Sequence, residues 1–315
     1  MAHLRSTRAF AAVAAAGAMA LLMGACAEPD SADTGGAPAA AAGTALPTPA
    51  FDQALFDKLP QSIRDSKVIT LAGDQHAPYL SIVAGGKQQG IIPDLNQALS
   101  AVLGVRFDQQ VVTGLPAILT GIQSDRYDLS LGPINDTRDR EQTVDIVTWL
   151  TSFPAFTVRE DAKITDFAGL CGRSLALVQG STMIKVADAL SAKCAASGQA
   201  APQVSTFADE NAAQLALNSG RADAHGATID VAKHYAEVDS GKVKVVTDTG
   251  NYLGRPKDYL GALVNKNRAG LTEAIQGALQ KIFADGTYDA IVAKWGLQDT
   301  RVGQPELNRA GKAAA

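Results

Sequence analysis

The sequence predicts an α/β fold in two lobes. Strand-like apolar runs alternate with helical patterns from Val68 to Gly132, and the alternation starts again at Ser174 and runs to Thr247. A strand and two helical stretches are left over after Leu260. Such alternation is the rhythm of a mostly parallel sheet with helices on its faces. Two series in succession imply two lobes, and the leftover piece is expected to return to the first.

The elements follow in order. Arg5 and Arg8 precede an uncharged run, Ala9–Met23, that ends in Gly24-Ala25-Cys26. The run is too short and too rich in alanine for a membrane span and reads as a signal peptide over residues 1–25. Small residues directly before a lone cysteine resemble a bacterial lipobox, with Met23 where leucine is usual. That resemblance implies cleavage before Cys26 and lipid on its thiol, which would anchor the chain to the outer face of the cell membrane. The other reading is an ordinary secretory signal and a chance cysteine. Residues 27–50 are low-complexity Ala/Pro/Gly/Ser/Thr sequence that cannot bury enough surface to order itself. Together with Cys26 they form a flexible linker over 26–50.

Residues 51–65 are expected to be a short helix with Phe51, Leu55 and Leu59 on one side. Lobe 1 is assigned to 66–157 and 264–300. Its expected strands are Val68–Ala72, Arg106–Val112 and Tyr127–Gly132, and its expected helices Asp94–Leu103 and Pro116–Ile122, with Gly85-Gly86 as a hairpin turn. Lobe 2 is assigned to 158–262. There the expected strands are Ser174–Gln179, Val204–Phe207, Ala222–Gly226 and Val243–Thr247, with helices over Ser181–Cys194, Asn211–Ser219 and Asp230–Ala236. Leu260–Asn265, Ala269–Phe283 and Tyr288–Lys294 complete the pattern, and 301–315 is left as a tail. The crossings are placed near Phe156–Val158 and Tyr259–Leu263. Cys171 and Cys194 fit an exported compartment where thiols pair, the alternative being two free thiols.

Composition narrows the function. A net charge of −4 and the absence of a Lys/Arg-rich run exclude a nucleic-acid binder. There is no G-x-S-x-G elbow, no Cys–His pair beyond the cysteines expected to bond, no G-x-G-x-x-G and no P-loop. His3 lies in the signal, and His225 and His234 lack metal-ligand spacing, so neither a metal nor a cofactor is expected. In an open α/β sheet, ligands bind beyond the carboxyl ends of the strands. The loops there are Gly73–Tyr79, Thr113–Pro116, Gly132–Arg140, Gly180–Thr182 and Gly226–Asp230.

The segments "GIIPDLNQAL", "LPAILTGIQSDRYD", "TRDREQTVD", "LVQGST", "GRADA" and "DGTYDAIVAKWG" occur in this order over roughly residues 66–298. In that register the chain resembles the extracellular solute-binding proteins of ABC importers, in the polar amino-acid family. The resemblance implies the type II periplasmic-binding fold, a monomer, and delivery of a small carboxylate-bearing solute, an amino acid or a derivative, to a membrane permease. A catalytic member of the same fold, dehydratase-like, or a lipoprotein that senses ligand for a separate receptor are the alternatives.

The residues by themselves allow either a carboxylate clamp at Arg140 or a solvated helix-start arginine paired with Asp136 or Glu141. Thr137 is placed to N-cap a helix that starts at Arg138, which puts Arg140 in the first turn. A guanidinium matches a carboxylate with two parallel charge-assisted hydrogen bonds. The resemblance gives Arg140 that role and has Thr182, at a helix start suited to anions, grip the same group from the other lobe. By the same register Asn135 faces the ligand, Gly132 and Pro133 lie where its amino group meets a carbonyl, and His76 and Leu115 stand where many members place aromatic rings. Thr228 replaces the aspartate that commonly pairs with the ligand's ammonium. Either Asp74, Asp136 or Asp230 then substitutes, or the ligand's nitrogen is not a free α-ammonium; Thr228→Asp is expected to strengthen binding of α-amino acids.

Overall fold

The computed structural model describes residues 46–248, 250–254 and 257–312. The expected signal peptide, Cys26 and most of the linker lie outside the described residues. The first elements of the described residues are two short helices, α1 (Gln53–Lys58) and α2 (Gln61–Ser66), in place of one. Pro60 is the reason, since it forces extended backbone on Leu59 before it (ψ 146°).

The first lobe is built on β1 (Val68–Gly73), the hairpin β2 (Ser81–Ile82) and β3 (Gln88–Gln89), α3 (Ile91–Leu103), β4 (Arg106–Val111), α4 (Gly114–Gln123), β5 (Leu129–Asn135), α5 (Arg138–Glu141) and β6 (Val144–Ser152). The second lobe holds β7 (Pro154–Arg159), β8 (Ser174–Val178), α6 (Met183–Ala196), β9 (Gln203–Phe207), α7 (Glu210–Asn218), β10 (Ala224–Thr228), α8 (Ile229–Val238) and β11 (Val243–Thr247). The chain then returns to the first lobe with β12 (Asp258–Asn265), α9 (Leu271–Ala284), α10 (Thr287–Lys294), β13 (Arg301–Leu307) and α11 (Arg309–Lys312). The strand orders are β13-β6-β12-β5-β1-β4 and β11-β7-β10-β8-β9.

Three expectations are corrected. Both sheets are mixed. β1 runs parallel to β4 and β5, and β8 parallel to β9 and β10, but the strands that carry the chain between lobes, β6, β7 and β12, pair antiparallel. The crossings lie at Phe153 and between β11 and β12, so the expected boundaries at 157/158 and 262/264 fall inside β7 and β12. Residues 301–307 are an edge strand on β6 and not a tail. The cause of the first miss is burial: nearly every residue of β6 and β7 is buried on both faces, which erases the alternation that marks a strand.

Helix faces follow the apolar spacing. Leu95, Leu99 and Val102 of α3 join Ile275, Leu279 and Ile282 of α9 in one core against the first sheet. Val186, Leu190 and Cys194 of α6 pack with Phe156, Phe167 and Leu177 in the second lobe. Gly104 ends α3 in the left-handed conformation (φ 63°), a stop that glycine adopts without strain. Trp149 is fully buried, and its indole N–H donates to the Leu131 carbonyl at 2.9 Å. Truncating it to alanine would cost about 3–5 kcal/mol.

One device occurs in both lobes. Asp128, just before β5, accepts the amide and hydroxyl of Thr70 at 2.8 Å each. Asp223, just before β10, accepts the amide and hydroxyl of Ser174 at 2.9 and 2.8 Å. Each carboxylate ties the start of one parallel strand to its neighbour. The motifs "DRYD" and "GRAD" are therefore built into the sheets and away from the ligand.

Candidate functional site

The carboxyl ends of the parallel strands face each other across a cleft. From the first lobe it is lined by Asp74 and His76 after β1, Leu115 and Ile118 of α4, Pro133, Ile134 and Asn135 of β5, Arg140 of α5 and Leu260 of β12. From the second it is lined by Val178, Ser181, Thr182 and Met183 around the start of α6, Glu210 of α7, and Ala227 and Thr228 of β10.

Arg140 is positioned as its local sequence dictates. The Thr137 hydroxyl accepts the Arg140 amide at 3.3 Å and caps α5. The guanidinium then reaches both lobes, donating to the Asn135 carbonyl at 2.8 Å and to the Gly180 carbonyl at 3.0 Å. Arg138, on the other side of the turn, donates to the Ala310 carbonyl instead. Two buried polar atoms beside the cleft, Asn135 Nδ2 and Ser181 Oγ, have no hydrogen-bond partner among the described residues. Buried polar groups are almost always satisfied, so both are available to a ligand.

The opposite wall is ionic. His76 Nδ1 lies 3.2 Å from the Asp74 carboxylate. Burial works against the imidazolium, but the negative charges of Asp74, Glu210 and Asp230 outweigh it and raise the His76 pKa to about 9. Asp74 is held below the usual carboxylate range by His76 in spite of its burial. Glu210 Oε2 lies 2.7 Å from Nε2 of the fully buried His225, whose Nδ1 lies 2.9 Å from Gln214 Oε1. Gln214 turns its amide N–H groups to Asn218 and to the Asp239 carboxylate. Its oxygen is then the acceptor for His225 Nδ1–H and for the Thr157 hydroxyl at 3.0 Å.

Further contacts cross between the lobes. The Tyr79 hydroxyl donates to Asp230, and Asn211 Nδ2 donates to the Gln75 carbonyl at 3.1 Å. Lys185 pairs with Asp139 at 3.0 Å, but both are exposed, so this pair contributes little. Gly114 packs against the second lobe so closely that an added Cβ would stand 2.2 Å from the Ala208 carbonyl oxygen.

Arg140, Thr182, Asn135, Pro133, Asp74, His76, Leu115 and Thr228 are thus brought together at the cleft. Gly132 and Asp230 are not among its lining residues. Gly132 (φ 77°) is packed behind the wall against the Gly261 carbonyl. Asp230 is 4% exposed, and its oxygens accept from Tyr79, from Ser152 at 2.6 Å and from Thr228 at 3.0 Å. These bonds correct the expectation for Thr228→Asp, which would set two carboxylates about 3 Å apart and raise the pKa of one of them. Asp136 turns away to the C-terminal segment. Sequence reasoning missed Ser181 and Glu210. Ser181 lies within "QGST", whereas Glu210 opens α7 after the end of β9. Cys171 and Cys194 are joined in a disulfide.

A two-lobed body with polar groups converging from both sides of one cleft defines a protein that encloses a small solute. The chain belongs to the family of bacterial extracellular solute-binding proteins, family 3, whose model matches residues 69–298. It is 27% identical over 254 residues to the arginine-binding protein ArgT of Corynebacterium glutamicum, covering 79% of this chain and 81% of that one. A putative ABC transporter arginine-binding protein of Escherichia coli is 26% identical over 229 residues, covering 70% of this chain and 86% of that one. Among solved structures, an ancestral arginine-binding protein bound to glutamine superposes with a TM-score of 0.64 at 25% identity, covering 73% of this chain and 97% of that one. The ancestral amino acid-binding protein AncCDT-1, a precursor of cyclohexadienyl dehydratase, gives 0.65 at 24% identity, covering 74% and 97%. The fold is that of the type II periplasmic-binding proteins.

Proposed function

We propose that this protein captures an amino acid that carries a positive charge and hands it to an ABC permease. The observation that carries the reading is Arg140, forked between carbonyls of both lobes next to Asn135 Nδ2 and Ser181 Oγ, which have no partner among the described residues. A ligand carboxylate there meets a fixed cation and the start of α6, where Thr182 and the helix end favour an anion. The Asp74–His76 and Glu210–His225 pairs supply acceptors for the ligand's cationic groups, which is the work that Thr228 cannot do as a carboxylate would. The arginine-binding names of two relatives agree with this division of the cleft. Binding is the whole activity on this reading, without chemical conversion of the solute. Lipid on Cys26 would hold a monomer at the outer face of the cell membrane, and residues 27–50 would give it reach.

The test is a thermal-shift screen over the common amino acids, small dicarboxylates and betaines. Ligand at a hundred times its Kd should raise Tm by roughly 5–10 °C. A panel in which no amino acid moves Tm would overturn the proposal.

A further inference from the structure

The family model ends at residue 298, yet the described residues continue to 312. That continuation is bonded to the helix that carries Arg140. β13 lies along β6, and Asn308 extends the pairing: its amide donates to the Ile146 carbonyl at 2.8 Å, and its side chain accepts the Ile146 amide at 2.8 Å and donates to Asp145 at 2.9 Å. The next residues fold over α5. Asp136 accepts the amides of Arg309 at 2.8 Å and Ala310 at 3.4 Å, Glu141 accepts the amide of Gly311 at 3.1 Å, and Arg138 donates to the Ala310 carbonyl at 3.2 Å. The Arg309 guanidinium sits 3.8 Å above the Tyr259 ring, on the strand beside β5.

α5 spans only residues 138–141, too short to be stable alone. Its orientation must come from what it is bonded to. Thr137 fixes one end from within, and residues 309–311 hold the carboxylates that flank Arg140 on both sides. We infer that the segment from Asn308 to Lys312 is a strap that sets the orientation of α5, with Asp136 and Glu141 as positioning residues for the Arg140 guanidinium. Burial and the neighbouring Glu141 lift the Asp136 pKa to about 7.

The test uses the full chain and two kinds of variant. A stop after Asn308 removes the strap's grip but keeps β13. Asp136→Ala removes the acceptor for Arg309 and Ala310 in an intact chain, whereas Asp136→Asn keeps an acceptor oxygen and offers Glu141 an N–H. Hydrogen exchange is read on residues 137–143 and, as control, on the second sheet. The truncation and Asp136→Ala should speed exchange over 137–143 alone, and Asp136→Asn should restore it. Titration with L-arginine should show about a tenfold loss of affinity for the first two variants and little for Asp136→Asn. Exchange at 137–143 that ignores the strap, or equal behaviour of Asp136→Ala and Asp136→Asn, overturns the inference. Should the truncation fail to fold, the two Asp136 variants decide. The exchange measurement needs no ligand, so absence of L-arginine binding to the wild type would count against the proposed function and not against the strap.

Discussion

Replacing Arg140 by alanine removes one cation from the cleft and the two bonds it makes there. The bonds run to the Asn135 carbonyl at 2.8 Å in the first lobe and to the Gly180 carbonyl at 3.0 Å in the second. Both carbonyls lie at the cleft, where water can replace the guanidinium, so folding should lose only about 1–2 kcal/mol and Tm about 2–8 °C. Binding should lose far more. Removing one member of a buried carboxylate–guanidinium pair costs about 3–5 kcal/mol, or roughly two to four decades of affinity. Arg140→Lys separates charge from geometry. The ammonium keeps the charge but not the fork, so it should forfeit about one charge-assisted bond, 1.5–3 kcal/mol, or one to two decades. Calorimetric titration of the three proteins with the amino acid found by thermal shift gives the series. Affinities of Arg140→Ala within threefold of the wild type, or Arg140→Lys as weak as Arg140→Ala, would refute the clamp.

Three further outcomes are expected. Gly114→Ala places a Cβ 2.2 Å from the Ala208 carbonyl, which opposes close approach of the lobes; it should weaken ligand binding by about tenfold or more and leave a larger radius of gyration by small-angle scattering in the presence of ligand. His76 has a folded pKa of about 9 against 6.5 in the unfolded chain, so its stabilising contribution is complete below 6.5 and is lost as pH rises through about 9; wild-type Tm should fall over that window, and His76→Gln should flatten the fall. Reducing the Cys171–Cys194 bond frees a closed loop with a sequence separation of 23; it should cost about 3 kcal/mol and lower Tm by roughly 6–12 °C, and an unchanged melting curve after verified reduction would contradict the chain-entropy account.

The parallel strands were legible as short apolar runs set between helical patterns, and the amphipathic helices because each turns one face to a core. β6 and β7 were not, because they follow each other directly with no helical pattern between them, and buried Thr148, Thr151, Ser152 and Thr157 interrupt their apolar residues. β13 was hidden for another reason, as a mostly exposed edge strand of mixed residues broken by Gly303 and Pro305. At the site, Thr137 and Arg140 could be read from local chemistry, since a cap and a first-turn arginine need only a few neighbouring residues. Asp230 could not. Whether a carboxylate faces a ligand or a tyrosine depends on Tyr79, which lies 151 positions away. Glu210 likewise gains meaning only from His225 and from the wall opposite it.

Trp149 and Trp295 are the two indoles of this chain. The first donates its ring N–H to the carbonyl of Leu131, one residue before the turn of β5 that leads to Pro133 and Asn135 at the cleft. The emission of an indole depends on the polarity around that N–H. A shift of β5 as solute settles would therefore change the protein's own fluorescence, and loading could be followed optically, in real time and without a label.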